Sequence, residues 1–434
     1  MAEGTDADIR SAVIANLNAI IGTSVFVLLG ITSGFAGPAM VISFLVAGLI
    51  AYLTALSSAE LSSFIGGREE DYINIDQTSA RFFGFLIGWI QSFSFVLGAS
   101  VGSVGFAAYL VYGMDIDLSW PYILLIGGGW PLVLTIANIA RPPRKFSPAR
   151  LVLAFKLGAL MIFITVGGAY LLSQGDFSNY IPFAPRGLEG ILGGASMNFY
   201  AYAGFSAILI FSQRFFRPSE IIPKALAISN AVATLLYISV ALVAIGLVNW
   251  RILRFTSAPL EMAFEVATDS FILLLLIGVT ALIATSTVIQ SSLSQGTQVL
   301  SAMAREGMIP GVFGRGRHHG IPLYSLIPMG AFVSLLVILS GGNLLLLASM
   351  FNFATLVSYL LINLVVIYLR RLRPDSRRVF KVPFFPWLPG AGILGCFIIM
   401  VLLNRSAIAA VSVWILLGIL AYGLNTSRKT RQLI

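Results

Sequence analysis

Charge is scarce in this chain. Lys, Arg, Asp and Glu together make 10% of the 434 residues, against about 25% in ordinary soluble domains. Charged side chains are what cover a soluble surface. A soluble enzyme, a nucleic-acid binder and a disordered scaffold are therefore close to excluded. Cysteine is nearly absent: Cys396 stands alone, permits no internal disulfide and leaves the redox compartment undetermined. Histidine is limited to His318 and His319, adjacent in a loop. Two neighbouring histidines are too few for a metal site and read as solvated, so no metal and no cofactor is expected. Low-complexity tracts are missing. No signal peptide is read at the start: Met1–Asp8 is acidic, and the first apolar stretch has no cleavage-like exit.

What the chain has instead is apolar length. Hydrophobic residues make 58% of it, and mean hydropathy is +0.92. A spanning helix needs roughly 20 mostly apolar residues, because the hydrocarbon core is about 30 Å thick. That ruler predicts twelve transmembrane helices, near residues 11–35, 38–64, 82–113, 119–139, 150–173, 188–213, 223–249, 271–302, 322–341, 344–370, 385–403 and 407–424. The fold class expected is all-α integral membrane, with a single membrane domain over 1–434 and no soluble one.

The net charge of +9 looks like a nucleic-acid signal until it is mapped. Cytoplasmic loops collect Lys and Arg. With the N-terminus inside, 22 of the 27 Lys and Arg fall in inside segments and four (Arg186, Arg251, Arg254, Arg405) outside; Lys156 lies within a helix. The excess is topological. It places both termini in the cytoplasm and gives no reason to expect nucleic acid. The Arg370–Lys381 run is explained by the same bias without a specific acidic lipid.

Two predicted spans are interrupted by small and polar residues: Ile21-Gly22-Thr23-Ser24-Val25-Phe26 in the first and Tyr200-Ala201-Tyr202-Ala203-Gly204-Phe205-Ser206 in the sixth. Glycines in membrane helices often only permit close packing, and for either segment alone that reading is preferred. Two interrupted segments five helices apart are a different matter. They occupy corresponding places in two halves, which points to a transporter binding site. Between the seventh and eighth spans, Ser257–Phe264 reads as a short amphipathic helix with Pro259 in its first turn.

At this point the chain resembles the amino acid–polyamine–organocation (APC) superfamily of amino acid transporters, whose fold is LeuT-type. The Ile21–Phe26 break resembles that family's Gly-rich motif in helix 1. Ala36-Gly37-Pro38-Ala39, Ala59-Glu60-Leu61, Ile222-Pro223-Lys224-Ala225 and Ala258-Pro259-Leu260 resemble further family motifs. So do Ala304-Arg305-Glu306-Gly307-Met308-Ile309-Pro310 and Phe380-Lys381-Val382-Pro383-Phe384-Phe385-Pro386-Trp387-Leu388-Pro389. Each is weak alone; seven in order over nearly the whole length are strong. Two places depart. Gly66-Gly67 come early, with Glu69-Glu70-Asp71 before Tyr72. Ser206 and Gln213-Arg214 stand where the family commonly has glutamates. The gating or coupling roles of those acids do not carry over.

The resemblance implies a 5+5 inverted repeat of helices 1–5 (about 11–173) and 6–10 (188–370), then helices 11–12 (385–424), with helices 1 and 6 discontinuous. It implies secondary transport of an amino acid at the breaks, in the cell membrane, and no enzyme activity. Half-helix N-termini offer N–H groups to a carboxylate, and half-helix C-termini offer carbonyls to an ammonium. The carboxylate is thus expected at the backbone of Thr23, Ser24 and Val25, beside Gly22. The ammonium is expected at the carbonyls of Ile20, Ile21, Tyr200 and Ala203, near Gly204. The Ser24 hydroxyl either donates to the ligand or packs. Tyr200, Tyr202 and Phe205 are candidate aromatic gates. Polar residues of helices 3, 8 and 10, namely Gln91, Ser94, Gln290 and Asn352, are expected to line the side-chain pocket. None is charged, which favours a neutral substrate, although buried amides serve equally as interhelical contacts.

Lys156 is the sharpest residue. An intramembrane ionisable group is a functional hypothesis by default; snorkelling to the nearby face is the rival. In the resemblance, helix 5 of proton-coupled relatives carries a lysine here, its amine in the place of a sodium ion, with Ser286 and Thr287 matching hydroxyl residues beside it. That implies proton-coupled symport, with Lys156, Ser286 and Thr287 as the coupling group. Exchange without ion coupling, and a sensor that binds without carrying, stay open as alternatives.

Other patterns carry less. Gly98-Ala99-Ser100-Val101-Gly102 satisfies G-x-S-x-G but sits mid-helix, without the strand–turn–helix context of a nucleophile elbow. Asn404-Arg405-Ser406 lies at a membrane boundary, and Asn425-Thr426-Ser427 lies on the cytoplasmic side. Neither is read as a glycosylation site.

Overall fold

In hydrocarbon every backbone N–H and C=O needs a partner, and an α-helix supplies them locally. The computed structural model describes residues 2–65, 79–114, 120–140, 149–205, 218–318, 321–372 and 380–431, and these are helical nearly throughout. The helices are α1 (Ala2–Ile20), α2 (Leu29–Ala36), α3 (Met40–Ile65), α4 (Ser79–Gly113), α5 (Trp120–Ala140), α6 (Ala149–Gln174), α7 (Gly187–Asn198), α8 (Pro218–Leu247), α9 (Trp250–Leu253), α10 (Pro259–Ala267), α11 (Phe271–Arg305), α12 (Leu323–Leu339), α13 (Leu344–Leu372), α14 (Trp387–Val401) and α15 (Arg405–Arg431). The one strand pairing among the described residues is the two-residue antiparallel contact of β1 (Arg317–His318) with β2 (Ile321–Pro322).

Proline and side-chain caps set several boundaries. Pro259 opens α10, where its missing N–H loses nothing. Asn249 caps α9 by accepting from the Arg251 N–H. Pro38 sits in a short 3₁₀ turn, Gly37–Ala39, that separates α2 from α3.

Among the described residues, eight stretches are long and apolar enough to cross a membrane. The first, Ile9–Leu61, is 53 residues long and is divided at the Gly37–Ala39 turn. Leu323–Leu339 and Trp387–Val401 are apolar but shorter. The sequence reading of twelve exceeds this number by four: those two shorter helices account for two, and two further physical reasons account for the rest. One long run holds two helices, and the sixth predicted span is straight only over the twelve residues of α7 before its helix type changes.

Two groups of helices pack together. In one, α3 and α8 lie against each other, α1 against α8, and α2 and α3 against α7; in the other, α4 packs on α5, α11 and α12, and α5 on α12. α13 touches α4 of the second group and α3 of the first. α4 is the axis: 94% of its most apolar window is buried, against 17% for α15 and 22% for α5, which therefore meet lipid. Its glycines explain the closeness. A β-carbon on Gly98 would stand 3.0 Å from the Phe351 ring, on Gly102 3.0 Å from the Ile289 side chain, and on Gly105 2.6 Å from Val27. In lipid such van der Waals contact, with no hydrophobic force between helices, is what holds a bundle. α15 is keyed onto α4 by two stacked indoles, Trp89 and Trp414, 4.7 Å between centroids. The Trp89 indole N–H donates to the Trp414 carbonyl at 3.0 Å.

At the end of the bundle near the C-terminus of α3, Glu60 receives both a side-on arginine and a backbone donor. Arg370 Nε and Nη2 each lie 2.6 Å from its carboxylate oxygens. The Val382 N–H donates to Oε2 at 2.7 Å, and Arg370 Nη2 also donates to the Val382 carbonyl. The Arg370 guanidinium caps the Phe385 ring at 4.4 Å. One acid thus ties α3, α13 and the 380–386 segment together. Removing one member of a buried pair strands the other charge, at about 3–5 kcal/mol. Glu60→Ala is expected to lower the stability of the detergent-purified protein by about that much, seen as a fall in the thermal midpoint, and Glu60→Gln by less, because it keeps an acceptor.

Candidate functional site

α1 ends at Ile20, and the chain unwinds through Ile21 and Gly22. The helix resumes at Thr23 as a five-residue π-turn, Ser24–Leu28, before α2. Across from it, α7 passes at Phe199 into a seven-residue 3₁₀ segment, Phe199–Phe205. Both expected breaks are therefore departures from α geometry, and they touch. A β-carbon on Gly204 would stand 2.6 Å from the Ala19 carbonyl oxygen. One on Gly22 would overlap Val288 Cγ2 of α11. Only hydrogen fits at either place.

Broken helices leave carbonyls without their usual donors. Here side chains supply them. Lys156 is fully buried, and its Nζ donates to the carbonyls of Ile21 at 2.7 Å and Asn18 at 3.1 Å and to Thr287 Oγ1 at 3.4 Å. The Tyr237 hydroxyl donates to the Ile20 carbonyl at 2.8 Å and approaches Ala201 O at 3.3 Å. The Tyr359 hydroxyl reaches the Ala203 carbonyl at 3.5 Å. The Asn352 amide donates to the Ser196 and Met197 carbonyls at the end of α7, and Thr32 donates to Asn198 Oδ1 at 2.9 Å. Lys156 thus points inward to helix 1 and does not snorkel.

A small cavity of about 60 Å³ lies between the breaks, well below the ~300 Å³ at which drug-sized pockets begin. Ile20, Gly22, Thr23, Ser24, Tyr200, Ala203 and Gly204 line it. Its remaining wall is Phe95 and Gly98 of α4, Val288, Ser291, Ser292 and Gln295 of α11, and Phe351 of α13, with Ala19 of α1. No acidic or basic side chain is among these. The Tyr200 hydroxyl donates to the Gly98 carbonyl at 3.0 Å, and its ring meets Phe351 at 4.5 Å. Thr23 Oγ1 and Ser24 Oγ are buried and make no hydrogen bond of regular geometry; their side chains interact with the hydroxyls of Tyr200 and Tyr237, respectively. Gln295 Oε1 is likewise buried without a partner. Thr23, Ser24 and Gln295 thereby set three polar side-chain atoms in or beside one cavity.

The other residues singled out by sequence are placed as follows. Ile21 is buried and gives its carbonyl to Lys156; Val25 is buried behind the lining. Tyr202 turns away, donating to the Phe44 carbonyl and accepting from Thr234. Phe205 belongs to the 3₁₀ segment, and its side chain lies outside the described residues, as do Ser206, Gln213-Arg214, His319 and the Gly66–Tyr72 stretch. Ser286 accepts from the Trp130 indole at 3.0 Å and so faces α5, not Lys156. Gln290 donates to Asn138, the Ser94 hydroxyl to the Ile90 carbonyl, and Gln91 is buried one turn before Phe95. Helices 3, 8 and 10 do form the wall, but Gln91, Ser94, Gln290 and Asn352 do not line it. An α-helix turns about 100° per residue, so Gln290 and Asn352, each next to a lining residue, face elsewhere. The residues sequence reasoning missed on α11, Val288, Ser291, Ser292 and Gln295, recur at i, i+3, i+4 and i+7, the signature of one helical face.

A family model described as amino acid permease matches residues 9–423. The branched-chain amino acid permease BcaP of Bacillus subtilis (strain 168) is 29% identical over 437 residues, covering 96% of this chain and 91% of its own. The methylthioribose transporter of the same organism is 29% identical over 434 residues, covering 95% and 91%. Cationic amino acid transporter 3, mitochondrial, of Arabidopsis thaliana is 26% identical over 390 residues, covering 82% of this chain and 61% of its own.

The two close approaches differ in what stands opposite. Gly22→Ala is expected to destabilise the protein by about 1–3 kcal/mol, as overpacking does. Val288→Ala in the same chain should recover part of that loss, since the obstruction is one side-chain methyl. Gly204→Ala meets backbone and should find no such second-site relief. Thermal midpoints of the single and double variants distinguish the cases.

Proposed function

The chain belongs to the amino acid permease family, and within it we propose a secondary transporter of a neutral amino acid, carried with a proton by alternating access about the breaks in helices 1 and 6. In this reading the chain crosses the cell membrane twelve times. The 53-residue run counts as two crossings, α7 and its continuation as the sixth, and both termini are cytoplasmic. The half-helix N-terminus at Thr23–Val25 takes the substrate carboxylate, with Ser24 Oγ as an added donor. The carbonyls of Ile20, Tyr200 and Ala203 take the ammonium; each carbonyl oxygen has two lone pairs, so those already bonded to Tyr237 or Tyr359 still accept. Phe95, Phe351 and Tyr200 form an apolar wall and Ser291, Ser292 and Gln295 a polar one for the side chain. A wall without charge supports a neutral substrate, even though some relatives are named for cationic ones.

The observation that carries the coupling reading is the Lys156 ammonium on two helix 1 carbonyls and Thr287 Oγ1. These are the oxygen acceptors a bound cation would need, filled by an ammonium from within the chain. A sodium ion would compete for the same oxygens, so sodium symport is disfavoured. A proton leaving Lys156 removes its charge and one of its three donors, and so weakens the tie of helix 1 to α6 and α11. The same contacts favour one second reading, exchange without ion coupling, in which Lys156 keeps its proton and acts as a fixed tie.

Uptake of a labelled panel of neutral amino acids into proteoliposomes tests both. An inward proton gradient should accelerate uptake, and an inward sodium gradient should not. Lys156→Ala should cut uptake at least ~10-fold, the worth of about 1.4 kcal/mol in barrier, and the residual flux should ignore the proton gradient. Unchanged pH dependence in that variant overturns the coupling role. Acceleration only by substrate preloaded inside identifies exchange, and binding without flux a sensor.

A further inference from the structure

α10 closes one end of the bundle. It packs against α6, α8, α9, α11 and the π-turn of helix 1. The Phe264 ring meets Phe163 of α6 at 5.4 Å. The segment leading into it covers the resumed part of helix 1 so closely that a β-carbon on Gly30 would stand 2.7 Å from the Leu253 carbonyl oxygen and 3.5 Å from Pro259. The seated face of this lid holds Pro259, Leu260, Ala263 and Phe264, as an amphipathic helix should, and also Glu261.

Glu261 is 6% exposed, and its Oε2 has no hydrogen-bond partner. The carboxyl occupies a notch where two neighbouring helices carry no side chain: β-carbons on Gly278 of α11 and Gly113 of α4 would stand 3.2 and 3.6 Å from Oε1. Among the described residues, the titratable groups facing it are Glu265 on its own helix, and Tyr109 and Tyr112 of α4. None is a cation. α6, α8 and α11 carry their charged residues in the halves remote from α10: Arg150 and Lys156, Glu220 and Lys224, and Arg305. The nearest arginines in sequence, Arg251 and Arg254, lie over the rings of Trp250 and Phe255. Tyr109, beside the carboxyl, donates to the Phe26 carbonyl at 2.6 Å. The notch therefore adjoins the half of helix 1 that begins at the ligand site.

We propose that Glu261 is a proton-binding site of the lid: with its proton on, α10 stays seated on α4, α11 and helix 1, and with its proton off, a bare carboxylate in an apolar notch lifts the lid toward water. This rests on the permease reading only in treating α10 as a lid; it does not require Lys156 to move a proton. Burial first, and the Glu265 charge second, push the carboxyl up from 4.5 to about 7. An acid raised in the seated state favours that state below its ordinary range and loses the preference as pH rises to the raised value. Between pH 4.5 and 7 the seated lid keeps a proton that the lifted lid releases, so each unit of rise shifts the ratio tenfold toward the lifted form. Outside that window the ratio is level.

Hydrogen exchange of the α10 amides, measured on the full chain in lipid nanodiscs and corrected for intrinsic exchange rates, tests this without any flux measurement. Protection should fall about 40-fold from pH 5 to pH 7 and level off above pH 8. Glu261→Gln, isosteric with the protonated acid, should stay protected throughout. A wild-type curve flat from pH 5 to 7 overturns the proposal whether or not the variant folds, and so does a variant curve that follows the wild type. Because the readout is exchange, failure of the transport reading would appear in uptake and failure of this one only here.

Discussion

The contact on which the rest depends is the Lys156 ammonium against the carbonyls of Asn18 and Ile21. A helix broken inside a membrane exposes backbone oxygens to a medium that cannot bond them. A lysine from a different helix answers that need with three donors on one atom. Other carbonyls at the breaks are served in the same manner by Tyr237, Tyr359 and Asn352. The break is therefore a supported conformation, held by side chains from α6, α8 and α13, beside a cavity lined by Thr23, Ser24 and Gln295.

The supports differ in kind at the two ends of the bundle. Near the C-terminus of α3, the Glu60–Arg370 pair is closed and self-satisfied: carboxylate, guanidinium, a backbone N–H and a backbone carbonyl account for one another. Under α10, Glu261 is buried without a counter-charge. Satisfied networks rigidify, while a buried acid with an unpaired oxygen is stable in one protonation state and strained in the other. The physical asymmetry is thus between a clamp and a hinge, with the broken helices between them.

Several features were legible in the sequence because they depend on one segment at a time. Scarcity of charge and long apolar runs dictated membrane helices. Gly22 and Gly204 marked the breaks, and Lys156 was conspicuous because nothing else charged sits mid-span. Pro259 with the apolar and acidic spacing of Leu260–Phe264 announced α10. The side-chain pocket was not legible. Choosing polar residues on helices 3, 8 and 10 selected Gln290 and Asn352, which bond to Asn138 and to the end of α7. It passed over Phe95, Phe351 and the Val288–Gln295 face. Polarity within a membrane identifies a residue that needs a partner, and only packing decides whether that partner is a ligand or another helix.

The sequence by itself determined that the backbone would be helical, where the helices would give way, and that one amine would lie within a span, since these follow from local hydrogen bonding and transfer from water. The tertiary structure alone decided rotation and depth: that Lys156 meets helix 1 and Thr287 but not Ser286, that Tyr200 faces the cavity while Tyr202 turns to Phe44, and that Glu261 lies in the notch beside Gly113 and Gly278. Each is a matter of about 100° of helix rotation or one turn of axial shift, quantities set by how side chains interlock between helices and not by any segment alone.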